Sequence, residues 1–86
     1  MFTPKMTVAV RTINLLRSAP QEAWLDGWID GRRLKHVHGV ARVTLQALKN
    51  RGVVRMRICR DRMSGQIFER WSLAPSALAI IEAVRA

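Results

Sequence analysis

One cysteine, two histidines and six acidic residues are all that this chain of 86 residues offers for metal, redox or acid–base chemistry. With Cys59 alone no intramolecular disulfide forms, and the sequence suits a reducing, cytoplasmic compartment. The acids are scattered, with no pair at a spacing that acid–base work would ask for. His36 and His38 have no further cysteine, histidine or acidic cluster beside them, so no ligand set of zinc spacing exists. A catalytic Cys59 would need a placed histidine and an orienting acid. Lacking them, it reads as a small hydrophobe. A glycine-rich phosphate loop is missing too. The expectation is a protein that is not an enzyme, with no catalytic residue, no metal and no cofactor. No apolar run approaches the roughly 18–20 residues of a membrane span. Residues 1–6 hold no continuous apolar block of the signal-peptide kind. No repeat or low-complexity segment is visible.

What is present is charge, and it is concentrated. Hydrophobic residues make up 49% of the chain, enough for one domain over residues 1–86 with its own core. Residues 1–30 balance Lys5, Arg11 and Arg17 against Glu22, Asp26 and Asp30, and residues 63–86 balance Arg70 and Arg85 against Glu69 and Glu82. Between them Arg32, Arg33, Lys35, Arg42, Lys49, Arg51, Arg55, Arg57, Arg60 and Arg62 face Asp61 alone, so residues 31–62 carry the whole net charge of +9. That is the footprint of a chain that grips a polyphosphate.

Periodicity gives the elements. Thr3-Pro4 is a cap followed by proline at the first helical position, and Met6, Ala9, Val10, Ile13 and Leu16 recur at helical spacing, predicting helix 1 near 4–17. Ser18 and Gln21 have capping-box spacing, and Trp24, Leu25, Trp28 and Ile29 form an apolar stripe, predicting helix 2 near 20–29, with Gly27 against it. Residues 32–38 read either as loop or as a short helix around Leu34 and Val37. Val40, Val43 or Thr44, Ala47 and Leu48 form the buried stripe of helix 3, near 39–50, with Arg42, Gln46 and Lys49 on another face and Gly52 as its stop. From Val53 the period becomes two. Val54, Met56 and Ile58 alternate with Arg55 and Arg57, and after the turn Asp61–Gly65, Ile67, Glu69, Trp71 and Leu73 alternate with Phe68, Arg70 and Ser72, predicting a β-hairpin. Ala74-Pro75-Ser76 opens a last helix with Leu78, Ile81 and Val84 as its apolar residues.

The order helix, helix, helix, hairpin, helix is that of a winged helix-turn-helix domain. The string Thr44-Leu45-Gln46-Ala47-Leu48-Lys49-Asn50-Arg51-Gly52-Val53-Val54 resembles the end of a recognition helix running into the wing of bacterial regulators. Trp71-Ser72-Leu73-Ala74-Pro75-Ser76 resembles the strand-to-helix exit of MarR-like regulators, with Ala74 and Ala77 where that family usually has Thr and Gly. The resemblance covers about residues 20–80. It implies a mainly α fold with a two-stranded wing and a C-terminal helix, minimal and of a phage type, without the long dimerisation helices of drug-sensing regulators. The implied function is sequence-specific binding of double-stranded DNA by a small transcriptional repressor that occludes a promoter.

On that resemblance the third helix enters the major groove, which puts Arg42, Thr44 and Gln46 near base edges and Lys49 on phosphate. Arg55, Arg57, Arg60 and Arg62 of the wing lie along the backbone or a minor groove, and Arg32 and Arg33, with Lys35, clamp the backbone ahead of the helix. The competing readings are a solvated helix face, and a charged edge strand that resists aggregation. Trp24, Trp28 and Trp71 read as core residues first and as base-stacking residues second. Dyad-related half-sites would ask for a homodimer, for which Leu78, Ile81, Val84 and helix 1 are the natural surface. Two other readings remain: a module that binds a protein partner, and an RNA-binding domain, the latter marked by exposed tryptophans able to stack.

Overall fold

In the computed structural model, which describes residues 2–24 and 27–79, helices pack on one face of a four-stranded antiparallel sheet. α1 (Pro4–Leu16) starts where the cap and proline place it: the Thr3 hydroxyl accepts from the Met6 amide at 3.2 Å. Met6, Ala9 and Ile13 are buried, with Val10 and Leu16 packed beside them. β1 (Ala23–Trp24) and β2 (Trp28–Asp30) follow, paired antiparallel with Ala23 opposite Ile29 and Trp24 opposite Trp28. α2 (Gly31–His36) comes next, N-capped by the Asp30 carboxylate, and then α3 (Arg42–Asn50). β3 (Val54–Arg60) and β4 (Ile67–Leu73) form a hairpin paired over all seven positions. A further helix covers residues 75–79 and its continuation lies outside the described residues. The strand order is β1-β2-β4-β3.

The mainly α plan with a two-stranded wing is therefore corrected to an α+β fold with a four-stranded sheet. The decisive segment is 20–29, expected as helix and found as two short strands. Two tertiary facts override the helical stripe. Gly27 sits at φ 86°, a left-handed backbone that ends one strand and admits the next. β2 then finds a partner in β4, with Ile29 opposite Trp71 and Asp30 opposite Arg70, which covers what would otherwise be a bare strand edge. The open choice over 32–38 resolves as helix around buried Leu34, with Val37 exposed. α3 begins three residues later than expected, because the Val40 amide bonds back to the Leu34 carbonyl at 2.7 Å and the intervening chain is a connection.

Strand alternation sorts the sheet into two faces. Ile29, Trp71, Leu73, Val54 and Met56 point toward the helices and meet Ile13, Leu34, Leu45 and Leu48 in one core. Trp71 is 1% exposed, as a core tryptophan should be. Burying each of these large side chains contributes about 1.5–3 kcal/mol. Leu78 packs against this same core, whereas Ile81 and Val84 lie outside the described residues. Among the described residues no helix is long and apolar enough to cross a membrane.

Candidate nucleic-acid interface

The basic residues are divided between the two sides of the sheet. On the helix side, Arg42 stands at the first turn of α3 and binds the Glu69 carboxylate with both Nε and Nη2, at 2.7 and 2.8 Å. Hydrogen bonding and charge from Arg42 hold the Glu69 carboxyl below its ordinary range, and Lys49 adds to the effect from further along the same helix. That bond ties the first turn of α3 to β4. Gln46 donates to Asn50 Oδ1 at 3.2 Å. Thr44 is 9% exposed and buried, so of its two sequence readings the core one stands and its side chain is not offered to a base. Val43, the other choice for that stripe, is exposed.

Ahead of α3, Arg33 is engaged by Glu22, its Nε and Nη2 each donating to a carboxylate oxygen at 2.7 Å. Arg32 donates to Asp30 and reaches across to Asp61 Oδ2 at 2.9 Å, tying α2 to the hairpin loop. Asp61 also accepts from the amides of Met63 and Ser64, which orders that loop. Arg60 bonds to the Gly65 carbonyl at 2.7 Å, and Arg62 is exposed in the loop. Lys35 is exposed on α2. Among the described residues no group of three metal-binding side chains lies together.

The other side of the sheet brings Arg55 and Arg57 together with residues that sequence reasoning placed wrongly or passed over. Arg55 and Arg57 share this face, as their alternation predicts, and Phe68 and Arg70 join them from β4. Trp24 and Trp28, expected in the core, stand here as a cross-strand pair, and Trp24 is 43% exposed. Guanidinium groups lie over the rings. Arg55 is 4.9 Å from the Trp28 centroid, and Arg57 is 5.5 and 5.4 Å from those of Trp24 and Trp28. Arg70 is 5.1 Å from both Trp24 and Phe68, and Arg32 is 3.9 Å from Phe68. The signal for Phe68 and Arg70 was present in the period-two pattern. That for Trp24 and Trp28 was Gly27, which turns a spacing of four into a hairpin pair.

Comparison of the chain with protein-family models, with curated proteins and with solved structures found no match. The functional reading therefore rests on the geometry of these two faces.

Proposed function

We propose that this chain binds double-stranded DNA and acts as a small transcriptional regulator. The observation that carries the reading is the Arg42–Glu69 bond, which holds the solvent face of α3 beside the basic hairpin at a set spacing. A helix entering the major groove would present Gln46, suited to adenine, while Arg42, whose Nε and Nη2 stay on Glu69, keeps its Nη1 for a guanine or phosphate oxygen. Lys49 and the loop residues Arg60 and Arg62 would take the flanking phosphates. The likeness of residues 44–54 to the recognition-helix-to-wing string of bacterial regulators supports the same assignment. Occlusion of a promoter needs nothing more than such occupancy.

The test is fluorescence anisotropy on a random duplex of about 25 base pairs, titrated with salt, comparing wild type with a Lys49→Ala/Arg60→Ala/Arg62→Ala variant. Each lost phosphate contact should flatten the slope of log K against log salt by about 0.9. Tight low-salt binding with a flatter slope in the variant supports the proposal. Absence of duplex binding at low salt, or an unchanged slope in the variant, overturns it.

A further inference from the structure

The outer face of the sheet is a surface that stability alone would not select. Arg57 and Arg70 sit directly opposite each other across β3 and β4, a like-charge cross-strand pair that weakens a sheet. Arg55, Arg57 and Arg70 have no carboxylate within ion-pair distance among the described residues, although Asp30 stands opposite Arg70 on β2 and feels its charge; every described carboxylate is engaged by Arg32, Arg33 or Arg42. Three aromatic rings are interleaved with these cations, and no described helix covers them. Of these, Trp24, Phe68, Arg57 and Arg70 border an open groove of roughly 690 Å³, which Arg60 and Arg62 close at the loop end.

We propose that this face is a second binding site, one that takes single-stranded nucleic acid by stacking unpaired bases on Trp24, Trp28 and Phe68. The chemistry points to one occupant. A ring stacked with an exposed guanidinium gains less than a ring stacked with a base. In the free protein the arginines rest on the rings, Arg55 also donating to Ser72 Oγ at 3.3 Å and Arg70 to the Trp28 carbonyl at 3.4 Å. When a base takes a ring, its own phosphate lies within reach of the guanidinium it displaces, so one nucleotide satisfies both groups. The exchange relieves the Arg57–Arg70 repulsion at the same time. A duplex answers only half of this surface, because its bases are stacked on each other and offer no free face. A peptide carboxylate would answer the arginines and leave the rings unpaired. The site lies on the opposite side of the sheet from α3, so it stands whether or not α3 reads a duplex.

The experiment uses labelled strands of about 12 nucleotides, within the span of one small stacking domain. Oligo-dT and oligo-rU are compared with an abasic deoxyribose-phosphate strand of equal length, which keeps the phosphates and lacks the bases. The proposal expects both base-bearing strands to bind at least about fivefold more tightly than the abasic strand, as stacking of even one base implies. Their ratio tells whether DNA or RNA is the better ligand. Trp24→Ala should weaken binding of the base-bearing strand about 5- to 150-fold, leave the abasic strand unchanged, and be largely rescued by Trp24→Phe. Because Trp24 is 43% exposed and lies outside the core cluster, the variant should retain the wild-type circular dichroism spectrum. A Gln46→Ala/Lys49→Ala variant, changed on α3 and outside the groove, should weaken duplex binding and keep its single-strand affinity. Equal affinity for abasic and base-bearing strands, or a Trp24→Ala variant that binds both as wild type does, overturns the proposal.

Discussion

Glu22 shows how a single carboxylate comes to matter. Hydrogen bonds from Arg33 dominate, with a further bond from His38 Nε2 at 3.2 Å, and together they outweigh the cost of burial and hold the carboxyl down to about 2 from an ordinary 4.5. A depressed folded-state pKa stabilises the protein above the ordinary value, and that contribution disappears as pH falls from about 4.5 through about 2. Urea unfolding midpoints should fall across this window. Glu22→Gln should lower the midpoint at neutral pH and give a shallower acid dependence. The residual slope comes from Asp30, Asp61 and Glu69, all held low by arginines. An unchanged acid profile in Glu22→Gln would refute the assignment. Gly31 matters for the opposite reason, an absence of atoms. A Cβ there would stand 2.9 Å from Trp71 Nε1 and 3.0 Å from the Glu69 carbonyl. Since β4 is central in the sheet and Trp71 is locked in the core, neither gives way easily. Gly31→Ala should cost about 1–3 kcal/mol in equilibrium unfolding, and a loss below about 0.5 kcal/mol would mean the site relaxes freely.

At the scale of elements, what was legible in the sequence was whatever depended on local chemistry. Thr3-Pro4 started α1, the alternation after Val53 gave β3 and β4, and Arg55 and Arg57 fell on one face as expected. The segment 20–29 was not legible, because Trp24 and Trp28 satisfy a helix at i and i+4 as well as a hairpin pair across a short turn. The pairing of β2 with β4, over forty residues apart in sequence, decided between them. Thr44 carried two readings, one in the buried stripe and one, by resemblance, at a base edge, and the phase of α3 turned it inward. Gly27 is the hinge of this outcome. Its φ is 86° and an added Cβ would meet Arg17 Cβ at 3.0 Å. Gly27→Ala should destabilise the β1–β2 hairpin by about 1–2 kcal/mol. Hydrogen exchange should then accelerate at Ile29 and Trp71 more than within α1. Uniform acceleration would instead mean that the hairpin unfolds only with the whole domain.

At the scale of the whole molecule, charge has been sorted by element. The arginines of α2 and the start of α3 are paired with carboxylates, whereas Arg55, Arg57 and Arg70 of the strands meet rings and neutral oxygens. Composition recorded the net +9, but only the fold separates the arginines held in ion pairs from Arg55, Arg57 and Arg70, which have none. The free protein therefore carries a repulsion that dissolved ions should screen. Raising salt from about 0.02 to about 0.5 M should increase wild-type stability, and Arg57→Thr should gain less from the same change. Equal gains would show that the Arg57–Arg70 pair costs nothing in the free state.

The three indoles fall into two optical classes. Trp71 is sealed in the core, while Trp24 and Trp28 stand among guanidinium groups at the surface. Emission from the surface pair is open to collisional quenchers, and its cationic setting enriches anions locally. Iodide should therefore quench that fraction more efficiently than neutral acrylamide does, until a polyanion occupies the face and reverses the order. Trp71 stays silent to both and shifts to the red only when the core opens. The molecule thus carries separate built-in signals for ligation and for unfolding.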